Sequence, residues 1–180
     1  MTPSASQTVG PFFNFALTVN PAMGVIAGLG ERIELTIRVI DGDGIPLPGD
    51  AMIELWQTDA HGRYAHPRDP RANQVTPEFC GFGRLETSLD GKCVFQTLRP
   101  GPIGPGHAPH INVVIFARGL LKQLYTRIYF GDDKLNDNDP LLALVPEDRR
   151  QTLLAQQVDT HSWAIDIQLQ GGNETIFFEV

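Results

Sequence analysis

A mostly β fold, built as an antiparallel β-sandwich with one short helix, is what this chain predicts. Three observations carry that prediction. Apolar and polar residues alternate with a period of two in several short runs, the mark of strands with one buried face. Clusters of Gly, Pro and Asp punctuate those runs as turns. Only one stretch, opening at Pro146, has the build of a helix start.

In chain order, residues 1–30 read as an N-terminal arm and residues 31–180 as one β-sandwich domain. Within the arm, Gly10-Pro11 sets a bend, and Phe12, Phe13 and Phe15 need a surface to bury against, on this chain or on a partner. From Glu31 to Ile40, Ile33, Leu35, Ile37 and Val39 alternate with Glu34, Thr36 and Arg38 as in a half-buried strand. Asp41-Gly42-Asp43-Gly44 is a turn, Ala51–Gln57 a second strand, and Asp59–Pro70 a loop. Gly83–Leu98 reads as a hairpin about Asp90-Gly91. His110–Ala117 and Gln123–Phe130 are two strands joined at Arg118-Gly119, and the acidic run 132–139 a solvated loop. Pro146 followed by Glu147 and Asp148 and then by leucines is the helix. Trp163–Leu169 alternates as a strand, and Gly171-Gly172 turns into a last one, Thr175–Val180.

Composition narrows the function classes. The chain has 180 residues, 42% hydrophobic and 19% charged, which suits one soluble globular domain. A net charge of −7 offers no electrostatic footprint for nucleic acid or an anionic membrane. No apolar run approaches the ~20 residues of a spanning helix, and the polar N-terminus lacks the build of a signal peptide, so a cytoplasmic location is expected. Cys80 and Cys93 form no CxxC pair and read as buried free thiols, with a disulfide between them left open by the sequence.

The chemistry centres on the strand that opens at His110. Side chains alternate along a strand, so His110 and Asn112 share a face. Two imidazoles there would suit a metal; Asn112 supplies only a neutral amide, a weak ligand for a transition metal. From the residues alone, His110 reads as a hydrogen-bonded core histidine, Tyr64 as a tyrosine with a satisfied hydroxyl, and Arg127 as a strand arginine. His61, His66, His107 and His110 make no four-ligand zinc set with the cysteines. Asp132, Asp133, Asp137 and Asp139 lack the glycine and terminal Glu of a calcium loop.

Five motifs in order sharpen this reading: Leu55-Trp56-Gln57 running to Gly62-Arg63-Tyr64, Gly81-Phe82-Gly83-Arg84, Leu98-Arg99-Pro100-Gly101-Pro102, Pro109-His110-Ile111-Asn112, and Thr126-Arg127-Ile128-Tyr129-Phe130. In this order and spacing the chain, from Glu31 onward, resembles the intradiol ring-cleaving dioxygenases. Active members of that family hold a ferric ion with two tyrosinates and two histidines. By the resemblance, the first tyrosine corresponds to Tyr64 and the second position is Ile103. The two histidine positions are His110 and Asn112. A family arginine falls at His107, and a family glutamine becomes Arg127. One ligand of each pair is therefore missing, and no metal is expected in this chain.

What the resemblance implies is a chain with no catalytic residue of its own, paired with a homologous iron-bearing chain in a hetero-oligomer. Thr8, Gly10, Pro11 and Arg127 would line the partner's pocket, and Arg127 would meet the carboxylate of a dihydroxybenzoate. A sulfonated catechol would suit Arg127 equally. Two other classes stay open: a freestanding β-sandwich binding module, and a self-sufficient dioxygenase with an unusual two-ligand site.

Overall fold

A computed structural model describes residues 4–10, 15–49 and 51–179. Among the described residues there are eight strands: β1 (Arg32–Ile40), β2 (Ala51–Gln57), β3 (Phe82–Glu86), β4 (Lys92–Leu98), β5 (His110–Ala117), β6 (Leu124–Phe130), β7 (Leu154–Asp159) and β8 (Ser162–Gln168). They form one sheet in the order β3-β2-β5-β6-β7-β8-β1-β4. β1 runs parallel to β8 and β6 parallel to β7; the other neighbours are antiparallel. The fold is thus mostly β as predicted, but the all-antiparallel sandwich is corrected to a mixed sheet nearly closed on itself. The β6·β7 seam consists of two residue pairs, Tyr129↔Leu154 and Phe130↔Ala155. It joins the halves β3-β2-β5-β6 and β7-β8-β1-β4, whose apolar faces share one core.

That core follows directly from the alternation. Ile33, Leu35, Ile37 and Val39 of β1, Ile53 and Leu55 of β2, and Ile111, Val113 and Ile115 of β5 are all buried in it. Each such side chain is worth roughly 1.5–3 kcal/mol of burial. Trp163 of β8 meets Phe130 of β6 edge to face at 5.0 Å, which ties the halves together across the seam. Ile26 of the arm also enters this core. Pro11, Phe12 and Phe13 lie outside the described residues, and Phe15 is exposed.

Four further predictions are corrected. The Asp90-Gly91 turn forms, with Gly91 N donating to Ser88 O at 2.9 Å, but its strands do not pair as a hairpin. β3 pairs with β2 and β4 with β1, so the turn is a corner between the halves. Only a seven-residue 3₁₀ helix, Glu147–Leu153, stands where a helix was expected. It ends at Leu153, and from Leu154 the chain is extended as β7 against β8. Residues 175–179 make no strand; Phe178 N reaches Tyr125 O and Thr126 Oγ1 reaches Ile176 O, without a ladder. Both thiols are free, but only Cys93 is buried, and burial pushes it up to about 12; Cys80 is exposed. Among the described residues no helix is long and apolar enough to cross a membrane.

Candidate functional site

The site is a row across three neighbouring strands. Register places Asn112 of β5 opposite Trp56 of β2 on one side and Arg127 of β6 on the other. His110 stands opposite Tyr129. Since Ile111 and Val113 face the core, His110, Asn112 and Arg127 share the outer face, as strand alternation predicts.

Tyr64 reaches this row from the loop after β2, and the motif residues hold the loop in shape. Gln57 is fully buried: its amide donates to Leu98 O at 2.9 Å and accepts from Thr97 Oγ1 at 2.7 Å, stitching the end of β2 to β4. Asp59 accepts from the amides of His61 and Arg63 at 2.9 Å and pairs with the Arg63 guanidinium. Burial raises the Asp59 pKa, but Arg63 and these amides outweigh it and leave the carboxyl below its ordinary value. Gly62 has φ +74°, and a Cβ there would lie 1.8 Å from Pro102 O, so only glycine lets the loop pass this close.

Tyr64 then lies over Trp56, ring centroids 5.9 Å apart and planes within 6°. Both line an open cleft of about 680 Å³ with Ile103, His66, Arg68 and Arg71. Asp69 also lines it, held down to about 2 by the Arg71 side chain and by the amides of Tyr64 and Arg71.

Asn112 joins cleft to arginine. Its Nδ2 donates to Tyr64 Oη and to Trp56 O, both at 3.2 Å, and its Oδ1 accepts from Arg127 Nε at 3.1 Å. Arg127 is half-buried, and among the described residues no carboxylate pairs with it.

His110 belongs to a second polar knot. Its Nδ1–H donates to Ala108 O at 2.8 Å, while Nε2 is buried with no partner among the described residues. Burial first, and then the Arg127 charge, push its pKa down to about 4, so the ring is neutral near pH 7. Beside it Tyr129 Oη donates to Asp139 Oδ1 at 3.1 Å. Asp139 is fully buried, which corrects the solvated acidic loop expected from sequence. Burial opposes its charge, but amide bonds from Leu142, Ala108 and Leu141 leave its pKa below the ordinary value. His107 sits 3.8 Å from the same carboxylate. Burial raises the Tyr129 phenol to about 12. An aspartate followed by a proline and a 3₁₀ turn is the sequence signal for such a capping carboxylate, and it lay hidden among the other acids. Asp132 and Asp133 of that run pair with Arg99.

A ferric ion of the kind the resemblance implies does not fit these residues. His110 Nε2 offers a free lone pair and Tyr64 a phenol, but Ile103 has no donor atom. The Asn112 oxygen is turned to Arg127, whose guanidinium places a cation beside the row. Among the described residues no three His, Cys, Asp or Glu side chains group to hold any metal.

Thr8 lies elsewhere. Its hydroxyl accepts from Gly119 N at 2.7 Å and donates to Ala117 O at 3.4 Å, on the β5–β6 turn. That is five residues along β5 from Asn112, roughly 17 Å. Gly10 is exposed, and Pro11 is outside the described residues.

Comparison with known proteins follows the same lines. A family model described as Dioxygenase matches residues 16–171. A protocatechuate 3,4-dioxygenase alpha chain from Burkholderia cepacia is 38% identical, covering 97% of this chain and 96% of that one. The beta chain of protocatechuate 3,4-dioxygenase from the same organism is 35% identical over 82% of this chain and 68% of its own length. Among solved structures, the dioxygenase domain of a dioxygenase carbohydrate-binding protein fusion from Streptomyces sp. SirexAA-E superposes with a TM-score of 0.61 at 24% identity. That match covers 83% of this chain and 84% of the other, and it bears on the fold alone.

Proposed function

Because this chain belongs to the intradiol ring-cleaving dioxygenase family yet offers no fitting set of iron ligands, we propose that it is the non-iron, alpha-type subunit of a protocatechuate 3,4-dioxygenase. Its partner would be a homologous, iron-bearing beta-type chain. The pair would open protocatechuate between its hydroxyls to 3-carboxy-cis,cis-muconate in aromatic catabolism. The partner's ferric iron would supply the chemistry with oxygen, and this chain would recognise and position the substrate.

One observation carries the reading: Arg127, half-buried on the outer face, has a neutral amide and the Tyr129 phenol for company and, among the described residues, no carboxylate. A substrate carboxylate would supply the missing anion, and a guanidinium meets a carboxylate through a pair of parallel charge-assisted bonds. The arm bearing Thr8, Gly10 and Pro11 would form the opposite wall of the partner's pocket. The likeness to both an alpha and a beta chain supports a partner built on the same fold.

The test is metal content and ring cleavage for this chain expressed alone and together with an iron-bearing partner. The expected outcome is iron and turnover only in the complex. Stoichiometric iron and turnover in the isolated chain would show that Tyr64 and His110 recruit other ligands, and the subunit reading would be lost.

A further inference from the structure

The amide at position 112 has a second reading, as a part of the arginine's own apparatus. Asn112 uses three of its four hydrogen-bonding positions in one direction of purpose. Its Nδ2 is fixed from two sides, by Trp56 O on β2 and by Tyr64 Oη from the loop, each at 3.2 Å. With its Nδ2 held, the amide cannot flip without losing both bonds, so Oδ1 stays toward β6. There it accepts from Arg127 Nε at 3.1 Å. Asn112 is 4% exposed, so these bonds form away from competing water.

A guanidinium can grip a carboxylate in two ways: side-on through Nε and one terminal nitrogen, or end-on through the two terminal nitrogens. With Nε taken by Asn112 and the Tyr129 phenol also within the guanidinium's reach, the remaining terminal N–H groups are the ones left for an end-on grip. We infer that Asn112, braced by Tyr64, is the positioning residue that aims Arg127 end-on at the carboxylate of an aromatic acid. Two positions that would otherwise be remnants of a lost metal centre thereby have a present task in substrate selection. An amide suits the task better than either neighbour in chemistry. A carboxylate there would neutralise Arg127, and an imidazole would offer one acceptor without a second, bracing NH₂ group.

The inference rests on the proposed carboxylate role of Arg127, and the experiment separates the two. Steady-state constants are measured on the complex with the iron-bearing partner, using protocatechuate and a catechol that lacks the carboxylate. Arg127→Ala tests the receptor. Asn112→Leu removes acceptor and brace at nearly constant volume. Tyr64→Phe removes one brace at the edge of the open cleft and serves as a mild second variant.

The expected result is a KM for protocatechuate raised about fivefold to tenfold in Asn112→Leu and about twofold in Tyr64→Phe, with kcat and the carboxylate-free catechol unchanged. A raised KM in Arg127→Ala with none in Asn112→Leu and Tyr64→Phe would overturn the inference and leave the receptor standing. Equal losses of Asn112→Leu on both substrates would reduce Asn112 to a packing role. An unchanged KM in Arg127→Ala would remove the receptor and the inference with it.

Discussion

Arg99 and Arg127 are two half-buried arginines of one chain with opposite surroundings. Arg99 lies over the rings of Phe130 and Trp163, 4.6 Å and 5.1 Å from their centroids. Its terminal nitrogens donate to Asp132 at 2.7 and 3.1 Å and to Asp133 at 3.4 Å. Burial works against its charge, but the two aspartates more than restore it and its pKa rises. Arg127 has a neutral amide on Nε and, among the described residues, no carboxylate paired with it. The difference separates a cation whose charge is answered inside the fold from one whose charge is left for something that arrives. Arg99 is a clasp between the halves of the sheet, and Arg127 is a receptor.

Four measurements would break or sharpen that contrast. The largest effect is expected at His110, which feels the Arg127 charge. Its pKa is depressed in the folded protein to about 4, so between pH 6.5 and about 4 the unfolded chain binds a proton that the folded one refuses. Stability is therefore full above pH 6.5 and falls as pH drops through that window, by about 3 kcal/mol. Denaturant titrations at several pH values measure it. The slope should be shallower in Arg127→Ala, where one of the depressing charges is gone, and an unchanged slope would mean burial alone accounts for His110.

Next, Arg99→Ala should cost about 2–3 kcal/mol of unfolding free energy, from two lost ring contacts and two aspartates left near an apolar edge. Arg127→Ala should cost stability less than about 1 kcal/mol and instead raise the KM for protocatechuate about tenfold or more. Crossed outcomes, with Arg99 governing KM and Arg127 governing melting, would erase the distinction. The smallest effect is expected for Arg38, which pairs with Asp166 in the open, their side chains 40% and 51% exposed. Arg38→Ala should change stability by less than about 1 kcal/mol, and less again in high salt.

Much of this was legible before any coordinates. Period-two alternation marked β1 and β8 because one face of each is buried, a β-branched run marked β5, and strand geometry put His110 and Asn112 on one face of it. β7 was hidden for a physical reason. Its Gln156, Gln157 and Val158 are all exposed, so it has no alternation to read, and Leu153 with the strand's own first residue, Leu154, looks like the tail of a helix. The partners of β3 and β4 were hidden too, since a turn such as Asp90-Gly91 dictates a reversal without saying which neighbours the strands take beyond it. In the site, the missing ligands were visible as letters, Ile103 and Asn112. The brace through Tyr64 was not, because it joins residues 48 apart that meet only once β2 and β5 lie side by side. Asp139 was missed because one buried acid looks like its solvated neighbours.

The parallel pairing of β1 with β8 has a consequence for how the molecule comes into being. Arg38 and its partner Asp166 are 128 positions apart. A ribosome adding about 5–20 residues per second would hold β1 waiting roughly 6–25 s before β8 emerges. Through that interval one long edge of β1, with Ile33, Leu35 and Ile37 along it, has only β4 beside it. The other half of the sheet, whose strands β2, β3, β5 and β6 are all made before β8, with only β4 between them in the chain, can fold in the meantime. Newborn copies are therefore most exposed to edge-to-edge association on the β1 side, and a folding helper that shields an apolar strand would have its work there.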